Sequence, residues 1–317
     1  MISRRHAVTQ AGVLVGAALA VGTQPTRATE SKPAGANERG GFRFCLNTAT
    51  IRGQKLGIVK EIEVVAKAGY DAIEPWVSAI EAYQKEGGSL PDLKRRIADL
   101  GIIVESAIGF PQWLAEDDAK RAAGLERAKF EMDLIAKIGG KRLAAPPTGA
   151  TELPKLELAK AAERYRALLE AGDQIGVVPQ LELWGFSKNL SQLGECACVA
   201  IETGHPKACV LADIFHLYKG GSGFSGLRLL SKNAVQVLHL NDYPADPPRE
   251  KIDDSFRVFP GDGVAPVTEI LRTLHDNGGQ TVLSLEIFNR KYWEMDALEV
   301  ARAGLEKMKS AVSKAQV

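Results

Sequence analysis

The sequence predicts an α/β fold, a single-domain (β/α)8 barrel of the TIM type over residues 42–317. Three features carry that reading. Eight short apolar, β-rich runs alternate with segments of helical period, the mark of a parallel sheet wrapped by helices. Five glycines close helical segments directly before the next strand. The chain has 317 residues, room for one such barrel, which typically takes about 250.

The first strand run begins at Phe42 (FRFCLN) and leads into a helical segment over 58–68; the second begins at Ala72 (AIEPW) and precedes a helix over 93–100. The third, from Ile102 (IIVESAIG), and the fourth, from Lys141 (KRLAAPP), precede helical segments over 123–138 and 156–171. The fifth, sixth and seventh begin at Val177 (VVPQLELW), Ala208 (ACVLADIFHL) and Val235 (VQVLHLND), with a helical segment over 267–275 after the seventh. The eighth begins at Thr281 (TVLSLEIFN), with a last helix over 297–308. Gly69, Gly101, Gly139, Gly176 and Gly278 stand just past helical segments, where a left-handed cap needs a residue without Cβ. The alternative, an open doubly wound sheet, is disfavoured because the first strand–helix junction, Asn47-Thr48-Ala49-Thr50, lacks the glycines that cradle a pyrophosphate.

Residues 1–28 read as an export signal. Arg4 and Arg5 are followed by an apolar run over 11–21 and by Thr26-Arg27-Ala28 at a small-residue cleavage point. The run is too short to span a bilayer. The arginine pair resembles a twin-arginine signal, an ordinary secretory signal or an uncleaved anchor being the alternative, and each predicts a periplasmic or otherwise exported protein; the mature form is expected to have no stable membrane span. Residues 29–41 read as a flexible, polar, glycine-rich linker. The whole chain carries a net charge of +1. The first 28 residues hold three arginines and no acid, which leaves −2 for the remainder. With no basic stripe, nucleic acid is excluded as a partner. Cys45, Cys196, Cys198 and Cys209 show no disulfide framework, and those in strand runs read as small buried hydrophobes.

Catalytic groups in such a barrel project from the C-terminal ends of its strands. Four consecutive strand runs each carry a polar residue there between apolar neighbours: Glu182, Asp213, His239 and Glu286. Buried unpaired, each acid would cost several kcal/mol, so the four demand a common partner, and a divalent cation supplies it. Three carboxylates and one imidazole favour Mn²⁺ or Mg²⁺, with Co²⁺ tolerated. Glu74, in Ile73-Glu74-Pro75-Trp76, faces the same end as a candidate substrate contact, whereas Glu105 lies earlier in its strand and is expected to ion-pair inside the barrel. Trp76, Trp113, Trp184 and Phe110 offer apolar walls for a sugar ring, or core filling.

The chain resembles the sugar phosphate isomerase/epimerase group of the xylose-isomerase-like barrels, which includes ketose 3-epimerases and inosose isomerases and dehydratases. The likeness covers residues 42–314. Its most specific parts are Asp213-x-x-His216, His239-Leu240-Asn241-Asp242, Pro260-Gly261-Asp262-Gly263, and Leu285-Glu286-Ile287-Phe288-Asn289 followed by Tyr292-Trp293. The resemblance implies that Glu182, Asp213, His239 and Glu286 bind the metal, that Glu182 and Glu286 act as acid and base on opposite faces of the substrate, and that His216 meets a substrate oxygen. It implies the same of a basic residue, Arg257 or its competitor Arg249, and Trp184 reads as part of the substrate wall.

The expected reaction is isomerisation or epimerisation of a small sugar or keto-polyol through an enediolate, the metal lowering the pKa of the substrate C–H. A keto-inositol dehydratase would use the same set. A carbohydrate-binding barrel without turnover is the non-enzymatic alternative; it would have no need of both Glu182 and Glu286. A three-zinc nuclease is excluded, because of five histidines His6, His205 and His275 fall outside the strand ends. Barrels of this group often associate, so a homo-oligomer is an open expectation.

Overall fold

The computed structural model describes residues 41–317; the expected export signal and all but the last residue of the expected linker lie outside the described residues. Eight strands, β1 (Arg43–Asn47), β2 (Ala72–Glu74), β3 (Ile103–Val104), β4 (Arg142–Ala145), β5 (Val178–Glu182), β6 (Val210–Asp213), β7 (Val237–Leu240) and β8 (Val282–Leu285), fall in the eight sequence runs. They pair in the order β3-β2-β1-β8-β7-β6-β5-β4, parallel in each of the seven pairs. Ala107, just past β3, joins the two ends: its amide donates to the Arg142 carbonyl at 3.1 Å and its carbonyl accepts from the Ala144 amide at 2.9 Å.

Ten helices lie among the described residues: α1 (Ile58–Ala68), α2 (Val77–Lys85), α3 (Leu90–Asp99), α4 (Asp118–Lys137), α5 (Leu158–Ile175), α6 (Leu193–Glu202), α7 (Ile214–Lys219), α8 (Val267–Asp276), α9 (Arg290–Trp293) and α10 (Ala297–Ala315). None is long and apolar enough to cross a membrane. The five closing glycines all have positive φ, from 69° to 93°, as the left-handed cap requires. Asp117 caps α4 by accepting from the Lys120 amide, which starts that helix five residues before its apolar pattern becomes legible.

Alternation along the strands divides the apolar residues into two cores. Leu46, Ile73, Leu181, Ala212, Leu238, Leu240, Leu283 and Leu285 pack outward in the large cluster shared with the helices. Cys45, Ala72, Ala144, Leu211, Val237 and Val282 form a separate small cluster. Two residues beyond Cys45, Ala72, Leu211 and Val237 come Asn47, Glu74, Asp213 and His239, all wholly buried. Period-two geometry therefore places these four on the same face as the small cluster, at the C-terminal end. Register brings them level: Asn47 pairs with Glu74, Asp213 with His239 and His239 with Ser284.

Glu105 is paired as expected. Arg43, Lys141 and Arg142 meet its carboxylate at 3.3, 3.1 and 2.7 Å. All four cysteines are free, and Cys45, Cys196 and Cys209 are buried.

The sixth strand run departs from the sequence reading. It stops at Asp213, whose Oδ1 accepts from the His216 amide at 2.8 Å and so caps α7. An aspartate in the N-cap position competes with strand continuation, and it moves His216 from a strand end onto a helix. Glu286 likewise stands one residue past β8.

Candidate metal centre

Glu182, Asp213, His239 and Glu286 converge at the C-terminal mouth of the barrel. His239 Nδ1 lies 3.1 Å from Glu286 Oε2 and 3.5 Å from both Glu182 Oε1 and Asp213 Oδ2, yet it is buried without a hydrogen-bond partner. Glu182, His239 and Glu286 offer ligand atoms all within 4.8 Å of one another. Two ligands held about 2.1 Å from one ion lie roughly 3.0–3.4 Å apart, so the spacing fits a cation-binding set. Asp213 is more heavily engaged. Its Oδ2 also accepts from Arg257 Nη1 at 2.6 Å and from Asn241 Nδ2 at 3.2 Å.

Electrostatics agree with a site short of positive charge. Burial, reinforced by Glu286 and Asp213, lifts Glu182 to about 7 against the pull of His239. Burial alone would lower His239, but Glu286 and Glu74 outweigh it and hold the imidazole well above its usual range. Burial alone would raise Asp213; Arg257, His216 and His239 together bring it well below the ordinary carboxylate range. A crowded carboxylate that retains its proton, Glu182, beside an imidazole that gains one, His239, is what a cation of higher charge would displace.

A second layer fixes these groups. Glu74 is wholly buried; its Oε2 meets His239 Nε2 at 3.0 Å and accepts from Asn47 Nδ2 at 3.0 Å and Ser284 Oγ at 2.6 Å. The structure therefore places Glu74 beneath the imidazole, aiming Nδ1 at the carboxylates, and not in the open pocket where a substrate contact was expected. Asn47 Nδ2 also donates to Glu286 Oε1 at 3.0 Å.

Arg257 and Arg249, equal candidates in the sequence, separate clearly. Arg249 is half-exposed and, among the described residues, its side chain pairs with Glu250 alone, at 3.6 Å. Arg257 is wholly buried. Its Nη1 bridges Asp213 and Glu286 at 2.6 and 3.0 Å, while Nε and Nη2 donate to Asp254 Oδ1 at 2.9 and 2.6 Å. The guanidinium lies 4.7 Å from the ring centre of Phe215 and 5.3 Å from that of Phe288. It thus acts on the carboxylates from behind rather than from the pocket wall. Arg257 Nη2 also lies 3.2 Å from His216 Nε2. A guanidinium only donates, so that nitrogen accepts and the neutral ring carries its proton on Nδ1, which is buried without a partner. Burial holds His216 below its usual range.

Above the cluster is a cavity of about 200 Å³ walled by Trp76, Phe110, Trp184, Phe186 and Phe288, with Glu182, Glu286 and Asp254 as its polar residues. The rings pack edge to face or tilted, Trp76 against Phe110 and Trp184 against Phe186 with centroids 5.1 Å apart in both pairs. Trp113 is no part of it. That indole is buried, donates to the Pro146 carbonyl at 2.6 Å and packs on Tyr165, so it fills core. A larger recess of about 570 Å³, on the outer helices α4 and α5, carries surface charges such as Glu116 and Lys160 and no part of this cluster.

Two sequence motifs prove to be one structure. Asp242 Oδ2 accepts from the Gly261 and Gly263 amides at 2.9 and 3.0 Å, and its Oδ1 from the Ala265 amide at 2.9 Å. Gly261 has φ +86°, and a Cβ on Gly263 would lie 2.2 Å from the Tyr243 carbonyl oxygen. Asp242 also exchanges backbone hydrogen bonds with Val258 at 3.0 and 2.9 Å, which seats Arg257 next door. At Gly109 a Cβ would lie 2.1 Å from the buried Glu131 carboxylate, so a side chain there would have to displace that carboxylate directly before Phe110.

Asn47, Asn241, Ser284, Asp254, Phe186 and Phe288 had no role assigned from the sequence. Asn47 was within reach, since it ends the first strand as Glu74 ends the second. Asp254 was not, because it sits in a loop with no periodicity.

The sequence matches the profile of the xylose isomerase-like TIM barrels over residues 62–311. Among curated proteins it is similar to the inosose isomerase of Bacillus licheniformis, 24% identical over 278 residues, covering 86% of this chain and 99% of that protein. It is also similar to the 3-dehydroshikimate dehydratase of Pseudomonas putida, 23% identical, covering 78% of this chain but 39% of that longer protein. Among solved structures, that of the IolI protein with a bound zinc atom superposes with a TM-score of 0.79 at 22% identity, over 86% of this chain and 98% of that one.

Proposed function

The chain belongs to the xylose isomerase-like TIM barrel family, and from that premise we propose that it is a divalent-metal-dependent isomerase or epimerase of a small sugar, keto-sugar or keto-inositol. The observation that carries the reading is His239 Nδ1, buried without a partner and facing three carboxylates within 3.5 Å. Glu182, His239 and Glu286 would hold the cation, with Asp213 as fourth ligand. The oxygen-rich set favours Mn²⁺ or Mg²⁺, with Co²⁺ tolerated. Bound there, the cation supplies Lewis acidity toward a substrate carbonyl.

The chain's own residues do the rest. Glu182, on the cavity wall with the aromatic rings, is placed to take or return a proton at the substrate carbon. Glu286 serves as its counterpart, with Asn47 and Arg257 fixing its two oxygens. The proton removed beside the carbonyl returns either to the other face of that carbon or to its neighbour, giving an epimer or a shifted carbonyl. Trp76, Phe110, Trp184, Phe186 and Phe288 exclude water and stack on the apolar faces of a sugar ring.

Departure of a β-hydroxyl instead would make the chain a dehydratase, a second reading favoured by the likeness to the Pseudomonas putida protein. Residues 1–28 are proposed to export the chain.

The test is hydrogen exchange followed by NMR in D₂O with Mg²⁺ and a panel of ketoses and keto-inositols. Deuterium entering beside a carbonyl, and lost in Glu286→Gln or with chelator, is the expected result. Retained metal binding with no exchange on any member would favour a binding barrel, the more so if Glu182→Gln and Glu286→Gln bind as wild type does.

A further inference from the structure

The pocket carries a charge pattern that the proposed reaction does not require. None of the nine residues lining it is Lys, Arg or His, while three are acids: Glu182, Glu286 and Asp254. Arg257 is buried behind the carboxylates, its Nη1 already shared between Asp213 and Glu286, and the exposed Arg52 stacks 3.9 Å from the ring centre of Trp76 without itself lining the pocket. Even if a divalent cation and Arg257 together neutralise Glu182, Asp213 and Glu286, the charge of Asp254 is left over. Arg290 and Lys291 line a separate recess beside Ser255 and Phe256.

Asp254 is shaped for a role at that surface. It opens the 3-10 turn Asp254–Phe256 and its side chain is 34% exposed. Both hydrogen bonds from Arg257 go to Oδ1, at 2.9 and 2.6 Å; Oδ2 accepts none among the described residues. One oxygen is thus anchored and the other is free at the pocket wall. A fixed carboxylate accepts strongly from hydroxyls and repels a second anion in a site of low dielectric.

Resting on the proposed reading of the pocket as a polyol site, we infer that Asp254 is a specificity-determining residue: it admits neutral polyols by accepting from a hydroxyl, and it turns away substrates that bear a carboxylate or phosphate. The inference separates the two activities found among the relatives, because a keto-inositol is neutral and dehydroshikimate is an anion.

The experiment uses a matched pair, shikimate and its methyl ester, which share a ring and differ in charge. Quenching of tryptophan fluorescence, with Trp76 and Trp184 on the wall, reads binding to the Mg²⁺-loaded full chain and to Asp254→Asn. Wild type is expected to bind the ester at least about tenfold more tightly than the anion, and the variant to narrow the gap below about threefold. A merely structural loss at Arg257 would weaken both ligands alike and leave the gap intact. That result, equal binding of both ligands by wild type, or binding of neither ligand to either protein would overturn the inference. Hydrogen exchange on keto-inositols, run on the same samples, keeps the two readings apart: a wild type that exchanges but shows no charge preference sinks only the role of Asp254, and a wild type that shows the preference without exchange sinks only the reaction.

Discussion

Glu74 and His239 meet through Oε2 and Nε2 at 3.0 Å, both side chains wholly buried, so a carboxylate on the second strand decides which imidazole nitrogen faces Glu182, Asp213 and Glu286. Such partners orient the ring and raise its basicity as a ligand. Glu74→Gln is expected to lower Mn²⁺ affinity about 10- to 100-fold with little change in far-ultraviolet circular dichroism, read by isothermal titration. Unchanged affinity would mean that the ring is held by packing alone.

Arg257→Met should destabilise the metal-free protein by about 3–5 kcal/mol, since it leaves Asp213 and Glu286 buried beside each other without their shared cation. Added Mg²⁺ should restore part of that loss by occupying the same electrostatic gap. Urea unfolding with and without the ion measures both, and a variant as stable as wild type without metal would contradict the ion-pair geometry.

A pH effect should come from outside the centre. Glu61 on α1 is buried with one oxygen unpartnered, and burial raises its pKa from 4.5 to about 7, partly opposed by Arg52. The folded state holds this proton more tightly than the unfolded chain, so its stabilising share is complete below pH 4.5 and is lost as pH rises through 7. Glu61→Gln is expected to match wild type near pH 4 and to exceed it by about 3 kcal/mol at pH 8. Denaturant melts at both values test this, and an equal difference at the two would refute it.

Gly109→Ala forces a methyl into the space of the Glu131 carboxylate, an overpacking expected to cost about 1–3 kcal/mol. Because Phe110 follows directly, substrate KM should rise more than kcat falls. A change confined to kcat would place the disturbance at the cluster around His239 instead.

The barrel was legible because its signals are local: apolar alternation, helical period and closing glycines each lie within a few residues. The four converging groups were legible for a related reason, as Glu182, Asp213 and His239 occupy strand positions and Glu286 stands one residue beyond. What the sequence could not resolve was depth. Glu74 and Glu182 both end strands, yet the hydrogen bonds of Asn47, Ser284 and His239 draw Glu74 beneath the site while Glu182 lines the cavity. Trp113 and Trp184 likewise look alike in sequence, and only packing against Tyr165 marks Trp113 as core. The choice between Arg249 and Arg257 turned on loop geometry, which no periodicity encodes.

The paired grip of Asp242 on Val258 and on the amides at 261, 263 and 265 closes the segment between them into a handle riveted at both ends. Its largely exposed stretch over 245–248 can therefore change character while Arg257 keeps its seat. A lineage carrying this barrel has in that handle a place to vary its surface while the four converging side chains are inherited intact.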